Sequence, residues 1–137
     1  MADPLSPSGV LALAVLAFQS SQVLYQTVAS FQSHQRTVRQ LKEELEALIG
    51  ALEALQETAA NPDIDLTMLR LPLVQCGKAC KDFQAVIAKC TTHSGGSKTS
   101  FRDWAKLRYM GDDIVAFKNM LAGYKSTIMI ALGDANM

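Results

Sequence analysis

Apolar residues recur along this chain at alternating steps of three and four. Val38, Leu41, Leu45, Leu48, Leu52, Leu55 and Ala59 form one such series, with Lys42, Glu43, Glu44, Glu46, Glu53 and Glu57 between them. That alternation holds one stripe of a helix, so it predicts an amphipathic helix with a narrow seam. Leu66, Leu69, Leu73, Cys76, Cys80, Phe83, Ile87 and Cys90 repeat the pattern. So do Leu107, Met110, Ile114, Phe117, Leu121, Tyr124, Ile128 and Ala131. Near the N-terminus Val10, Leu13, Ala17, Ser20, Leu24, Thr27 and Phe31 follow it more loosely, because Leu11, Val15, Leu16 and Phe18 make the other faces apolar as well.

Helix breakers fall between the series. Pro4 and Pro7 precede the first, where Ser6 or Ser8 is placed to cap it. Ser33 and His34 mark a weaker break, and Asn61-Pro62-Asp63 a strong one, since the residue before a proline is pushed out of the helical region. A stretch rich in Gly, Ser and Thr at 91–100 precedes the last series. Pro72 lies inside the third, where it either kinks that helix or marks its first turn. The pattern therefore predicts helices near 8–32, 35–60, 64–91 and 100–134. Runs with period two and β-branched residues are missing, so no sheet is expected. Four rods, each with one apolar seam and short connections, predict a single all-α domain over 1–137. Its form is an antiparallel up-down-up-down four-helix bundle. The first helix, apolar on every side, is expected to be the most enclosed.

Charge alters the picture at one place. The chain of 137 residues balances 13 Lys and Arg against 13 Asp and Glu. That balance argues against nucleic acid as a partner. Yet between Asp3 and Arg36 no Asp, Glu, Lys or Arg occurs. The unbroken apolar run at 10–18 is too short for an ordinary membrane-spanning helix, which takes about twenty such residues. Met1 to Pro4 carries an acid and no base, unlike a secretory leader. Three cysteines are too few for a disulfide scaffold and point to a reducing compartment.

Candidate chemistry is sparse. Cys76, Cys80, Cys90 and His93 imitate a zinc set, but Cys90 lies about 15 Å beyond Cys80 along a continuous helix. Core packing of the thiols is the better reading, and no metal or other cofactor is expected. His34 and His93 fall in expected loops and read as solvated histidines, with no Ser-His-Asp or Cys-His order to suggest catalysis. Asp103, Asp112 and Asp113 are interleaved with Arg102, Lys106 and Arg108 at helical spacing, which reads as a salt-bridged surface face. The Gly95-Gly96-Ser97-Lys98 stretch lacks the spacing of a phosphate loop. Trp104 and Tyr109 lie off the last seam and lack the partners of a base-stacking platform. The first helix is the remaining feature. Leu5, Val10, Leu11, Leu13, Val15, Leu16 and Phe18 are its candidates for membrane or oligomer contact. The pairs Ser8/Ala12 and Ala17/Ser21 are spaced as small residues are where helices approach closely in lipid.

Several of these segments together resemble a known family. They are the opening MADPLS with Gly9 and Val10, the Cys76, Cys80, Phe83, Ile87 and Cys90 pattern, and the long block RDWAKLRYMGDDI at 102–114. That block runs on into Phe117, Lys118 and the segment 120–136. The family is the N-terminal domain of the azaphilone pigment cluster protein L type. It belongs to the HeLo-like group found at the start of fungal STAND (NOD-like) receptors. The resemblance covers essentially the whole chain. It implies an α-helical bundle, similar in logic to the four-helix executioner domain of the necroptotic pseudokinase. It also implies a non-enzymatic, cell-death-related signalling module that acts on membranes through its N-terminal helix once a sensor oligomerises. That role falls on about Leu5 to Phe18 here. Such a module is expected in the cytoplasm, recruited to the plasma membrane on activation, as the head of a longer protein. Its expected partners are copies of itself or another helical domain, and membrane lipid. The alternative is an adaptor or oligomerisation domain that makes protein–protein contacts without membrane activity.

Overall fold

The seams of the sequence become four helices. The computed structural model describes residues 7–30, 36–90 and 111–135. Helix α1 spans Pro7–Ala29, α2 Arg36–Ala59, α3 Arg70–Cys90 and α4 Gly111–Ala135, and a 3₁₀ turn at Thr67–Leu69 leads into α3. Among the described residues there is no strand. The part of the last expected helix before Gly111 lies outside the described residues, as do the connection at 91–110 and residues 31–35.

Helix α2 ends where the sequence says it must. The Asn61 side chain accepts the Asp63 N–H at 3.0 Å, and the Ile64 N–H returns to the Asn61 carbonyl at 3.3 Å. The chain is thereby turned before Pro62 has to be accommodated in a helix. Asp65 then accepts both the N–H and the hydroxyl of Thr67, at 3.0 and 2.7 Å, and starts the 3₁₀ turn. Pro72 falls in the first turn of α3, where its missing N–H would have had no helical partner. It does not interrupt the helix.

Every seam position of α2 is buried, from Val38 to Ala59. On the third series Leu66, Leu69, Leu73, Cys76, Cys80, Phe83 and Ile87 are buried, and on the fourth Ile114, Phe117, Leu121, Ile128 and Ala131. Tyr124 packs against that core from its edge. The seam of α1 differs from its expected line. The buried positions are Val10, Ala14, Ala17, Ser21, Leu24 and Val28, so Leu13, Ser20 and Thr27 each give way to the next residue. The reason is the approach of α3: Ala17 lies against Gly77, where an added Cβ would stand 3.7 Å from the Ala17 Cα, and Ser21 lies against Cys80, which fixes the rotation of α1. A helix apolar on every side does not state its own buried face; its neighbour chooses it.

Helix α2 lies against α1 and α4, and α3 lies against α1 and, more lightly, α4. Among the described residues the backbones of α2 and α3 do not approach one another closely, nor do those of α1 and α4. Consecutive helices are therefore not all neighbours, as a plain meander of short connections would make them. Gln40 meets Lys118 and Glu44 meets Lys125, so contacts advance together along α2 and α4 and the two run parallel. Ala17 meets Gly77 and Ser21 meets Cys80, so α1 and α3 also run parallel. Phe83 and Phe117 stack with ring centroids 4.2 Å apart and join the lighter α3–α4 edge.

Helix α1, expected to be the most enclosed, has a smaller share of exposed positions than α2, α3 or α4 among the described residues. Only a third of its apolar window is buried. Among the described residues it packs against α2, α3 and the 3₁₀ turn, and Ala12, Leu16, Gln19, Val23 and Gln26 are exposed.

Candidate functional site

The outward face of α1 carries Ala12, Leu16, Gln19, Val23 and Gln26, all exposed and none charged. Leu16 and Val23 are each 51% exposed, less than Met68, Leu71, Met129 and Ile130 elsewhere on the molecule. Helix α3 flanks this face with Val74 at 48% exposure and with Lys78 and Lys81. Between the two helices run two adjoining hollows that share Leu16, Ser20 and Lys81. The one toward the C-terminal end of α1 has a volume of about 320 Å³ and reaches Gln19, Val23 and Gln84. A third hollow lies between α1 and α2, beside Tyr25 and Glu46.

The sequence-predicted positions scatter around this face. Val10 is fully buried. Leu11, Leu13 and Phe18 are partly buried against the core, and Val15 is half-buried. Of the six described, Leu16 is the exposed one. Leu5 lies outside the described residues. So do Arg102, Asp103, Lys106, Arg108 and the side chain of Asp112, while Asp113 is exposed. Val23 and Val74 were missed by sequence reasoning. Their exposure depends on how α1 and α3 are rotated, which periodicity alone does not set.

Beneath the groove lies a short polar chain. The Ser21 hydroxyl donates to the Ala17 carbonyl at 2.8 Å and sits 3.6 Å from the Cys80 sulfur. Its hydrogen bonds allow a buried hydroxyl to sit in an apolar seam. The hydrogen bond between Cys76 and Cys80, with burial, pushes the Cys76 thiol far above its ordinary range. Both thiols are free and fully buried, which is the core packing their seam positions predict. Among the described residues no three His, Cys, Asp or Glu side chains gather as a metal site requires. The side chain of Cys90 and His93 are outside the described residues, as is His34.

Across the other flank of α1, the Tyr25 hydroxyl donates to Glu46 at 2.6 Å. That bond, with the charge of Glu46, raises the Tyr25 phenol above its usual value. Helix α1 from Gly9 to Ala29 is long and apolar enough to cross a membrane by length and composition, a test that the core helix of a soluble protein also passes. The family model described as pigment biosynthesis cluster protein PigL N-terminal matches residues 2–137. No curated protein and no solved structure matches the chain.

Proposed function

The chain belongs to the pigment biosynthesis cluster protein PigL N-terminal family, and from that premise we propose that it is a non-enzymatic signalling module of a fungal NOD-like (STAND) protein. It acts in cell-death signalling, and it acts on membranes through α1 when copies are clustered. The observation that carries the reading is the charge-free α1, with one face in the core and the other, bearing Leu16 and Val23, open.

Energetics set the condition for activity. Val10, Leu24 and Val28 are buried in the bundle by α1. Each such side chain contributes about 1.5–3 kcal/mol. Taking α1 off the bundle also strips cover from the α2 and α3 seams. The cost approaches the total stability of a domain, about 5–15 kcal/mol. A lone copy therefore keeps α1 docked, and release requires an event, such as clustering, that offers α1 a second apolar home.

A reversible cross-link tests this. A Cβ on Gly77 would lie 4.0 Å from the Ala17 Cβ, within the span of a disulfide. The pair Ala17→Cys and Gly77→Cys, in a Cys90→Ser background, ties α1 to α3. Anionic vesicles holding a trapped dye are then exposed to the clustered protein. The expected result is leakage when the link is reduced and none when it is oxidised, with Leu16→Asp silent in both states. Equal leakage in the oxidised and reduced states would show that α1 does not leave. Vesicles that stay sealed under every clustering condition leave the adaptor reading in place of this one.

A further inference from the structure

The zero net charge hides a segregation. Between positions 43 and 69 stand Glu43, Glu44, Glu46, Glu53, Glu57, Asp63 and Asp65, with no basic residue among them. Helix α3 has the opposite balance: Arg70, Lys78, Lys81 and Lys89 against Asp82. From Glu43 onward the fold sorts these charges onto separate surfaces, with the exposed Arg36 and Arg39 at the N-terminal end of α2. On the side of α2 away from its buried seam, Glu43, Glu46, Glu53 and Glu57 are exposed, with Ala47, Gly50 and Ala54 between them. A Cβ added to Gly50 would meet nothing within 4 Å, so this ridge is low and open. The α1–α3 groove is its complement: protruding Leu16, Val23 and Val74, with Lys78 and Lys81 on the α3 side and no charge on the α1 side. Asp82 is the one acid that lines it. No ion pair within the described residues engages Lys78, Lys81, Glu43, Glu53 or Glu57.

We propose that the α1–α3 groove docks the acidic ridge of α2 from a second copy of this chain, so that copies associate head to tail. The spacing agrees. Leu16 and Val23 are two turns apart, about 10.5 Å along the axis, and so are Ala47 and Ala54 on either side of Gly50. Electrostatics decides between the arrangements open to a second copy. Groove on groove would set Lys78 and Lys81 against their own counterparts, and ridge on ridge would oppose glutamates. Like charges so placed cost several kcal/mol. Groove on ridge pairs opposite signs around an apolar centre, as specific interfaces do. A contact between two different surfaces propagates or closes into a ring instead of stopping at a pair. This inference does not depend on the membrane reading, and its test contains no lipid.

The experiment is sedimentation of the chain without lipid across a range of concentration and salt. The wild-type chain is expected to rise in average mass with concentration, and added salt is expected to reverse the rise. Lys78→Glu with Lys81→Glu alters the groove alone, and Glu53→Lys with Glu57→Lys alters the ridge alone. Each pair is expected to abolish association while circular dichroism stays unchanged, since all four side chains are exposed. All four substitutions in one chain, or an equal mixture of the two double variants, are expected to restore it. A wild-type chain that remains monomeric at high concentration and low salt overturns the proposal. So does association untouched by either double variant, and so does failure of the mixture to recover it.

Discussion

Tyr25 makes one hydrogen bond, and Asp65 two, that tie chemistry to pH. The folded phenol of Tyr25 titrates above its unfolded value because of its hydrogen bond to Glu46. Its stabilising contribution is therefore complete below about pH 10 and lost as pH rises through the folded value. Phenolate absorbance should show one tyrosine ionising late, and Glu46→Ala should return it toward the ordinary range. Asp65 has the opposite sign. The Thr67 N–H and hydroxyl hold its carboxyl below the usual value. Its contribution is present above about pH 4 and disappears as acid brings the pH down through the folded value. A carboxyl titration followed by NMR reads this directly, and in Asp65→Asn the acid-dependent part of the melting curve should shrink. Cys76 is expected to resist thiol reagents, because it is buried and its thiol is held above the ordinary range. In a Cys90→Ser background, labelling by a thiol reagent should be no faster than unfolding.

At the scale of elements, α2 is the helix that declares itself. Its seam and its charged positions alternate cleanly, and all its expected core positions are buried. Leu52→Ala should cost about 2–5 kcal/mol in denaturant unfolding, with an unchanged slope. Helix α1 does not declare itself in this way. Its apolar residues cover every face, so its sequence marked Leu13 and Ser20 as core where α3 selects Ala14 and Ser21. The crossing at Ala17 and Gly77 is the physical cause. An added Cβ there would make only ordinary contacts, the nearest at 3.7 Å. Gly77→Ala should therefore fold with equal or slightly higher stability, by up to about 1 kcal/mol from helix propensity. Gly77→Leu has no room for its branches and should lower the melting temperature by prying α1 from α3. The candidate face of α1 was legible as far as its lack of charge. Val23 and Val74 were not, because exposure at a helix pair depends on rotation about both axes.

The whole molecule arranges its helices around a core in which α1 has two neighbours and α4 is on the far side. Its lightest edge joins α3 to α4 through the stacked Phe83 and Phe117. On the other flank of α4, α2 and α4 are fastened by Glu44–Lys125 at 2.9 Å and by Lys118 donating to Gln40 at 3.2 Å. Lys125→Met should cost little, within about 1 kcal/mol, as partly exposed pairs usually do. Phe117→Ala should cost about 3–5 kcal/mol, since it removes core volume and the ring stack together. Chemical denaturation of the two variants, measured side by side, checks that packing holds the bundle more than surface charge does.

Periodicity, breakers and composition were enough to determine four helices, three of the four seams and a chain with one charge-free end, because helix formation and burial patterns are local properties of spacing. Which helices are neighbours, which face of α1 is buried, and where opposite charges come to lie were decided only by the tertiary structure. Those outcomes depend on small residues meeting across long separations in sequence, as Ala17 meets Gly77, and no period along the chain encodes such a meeting.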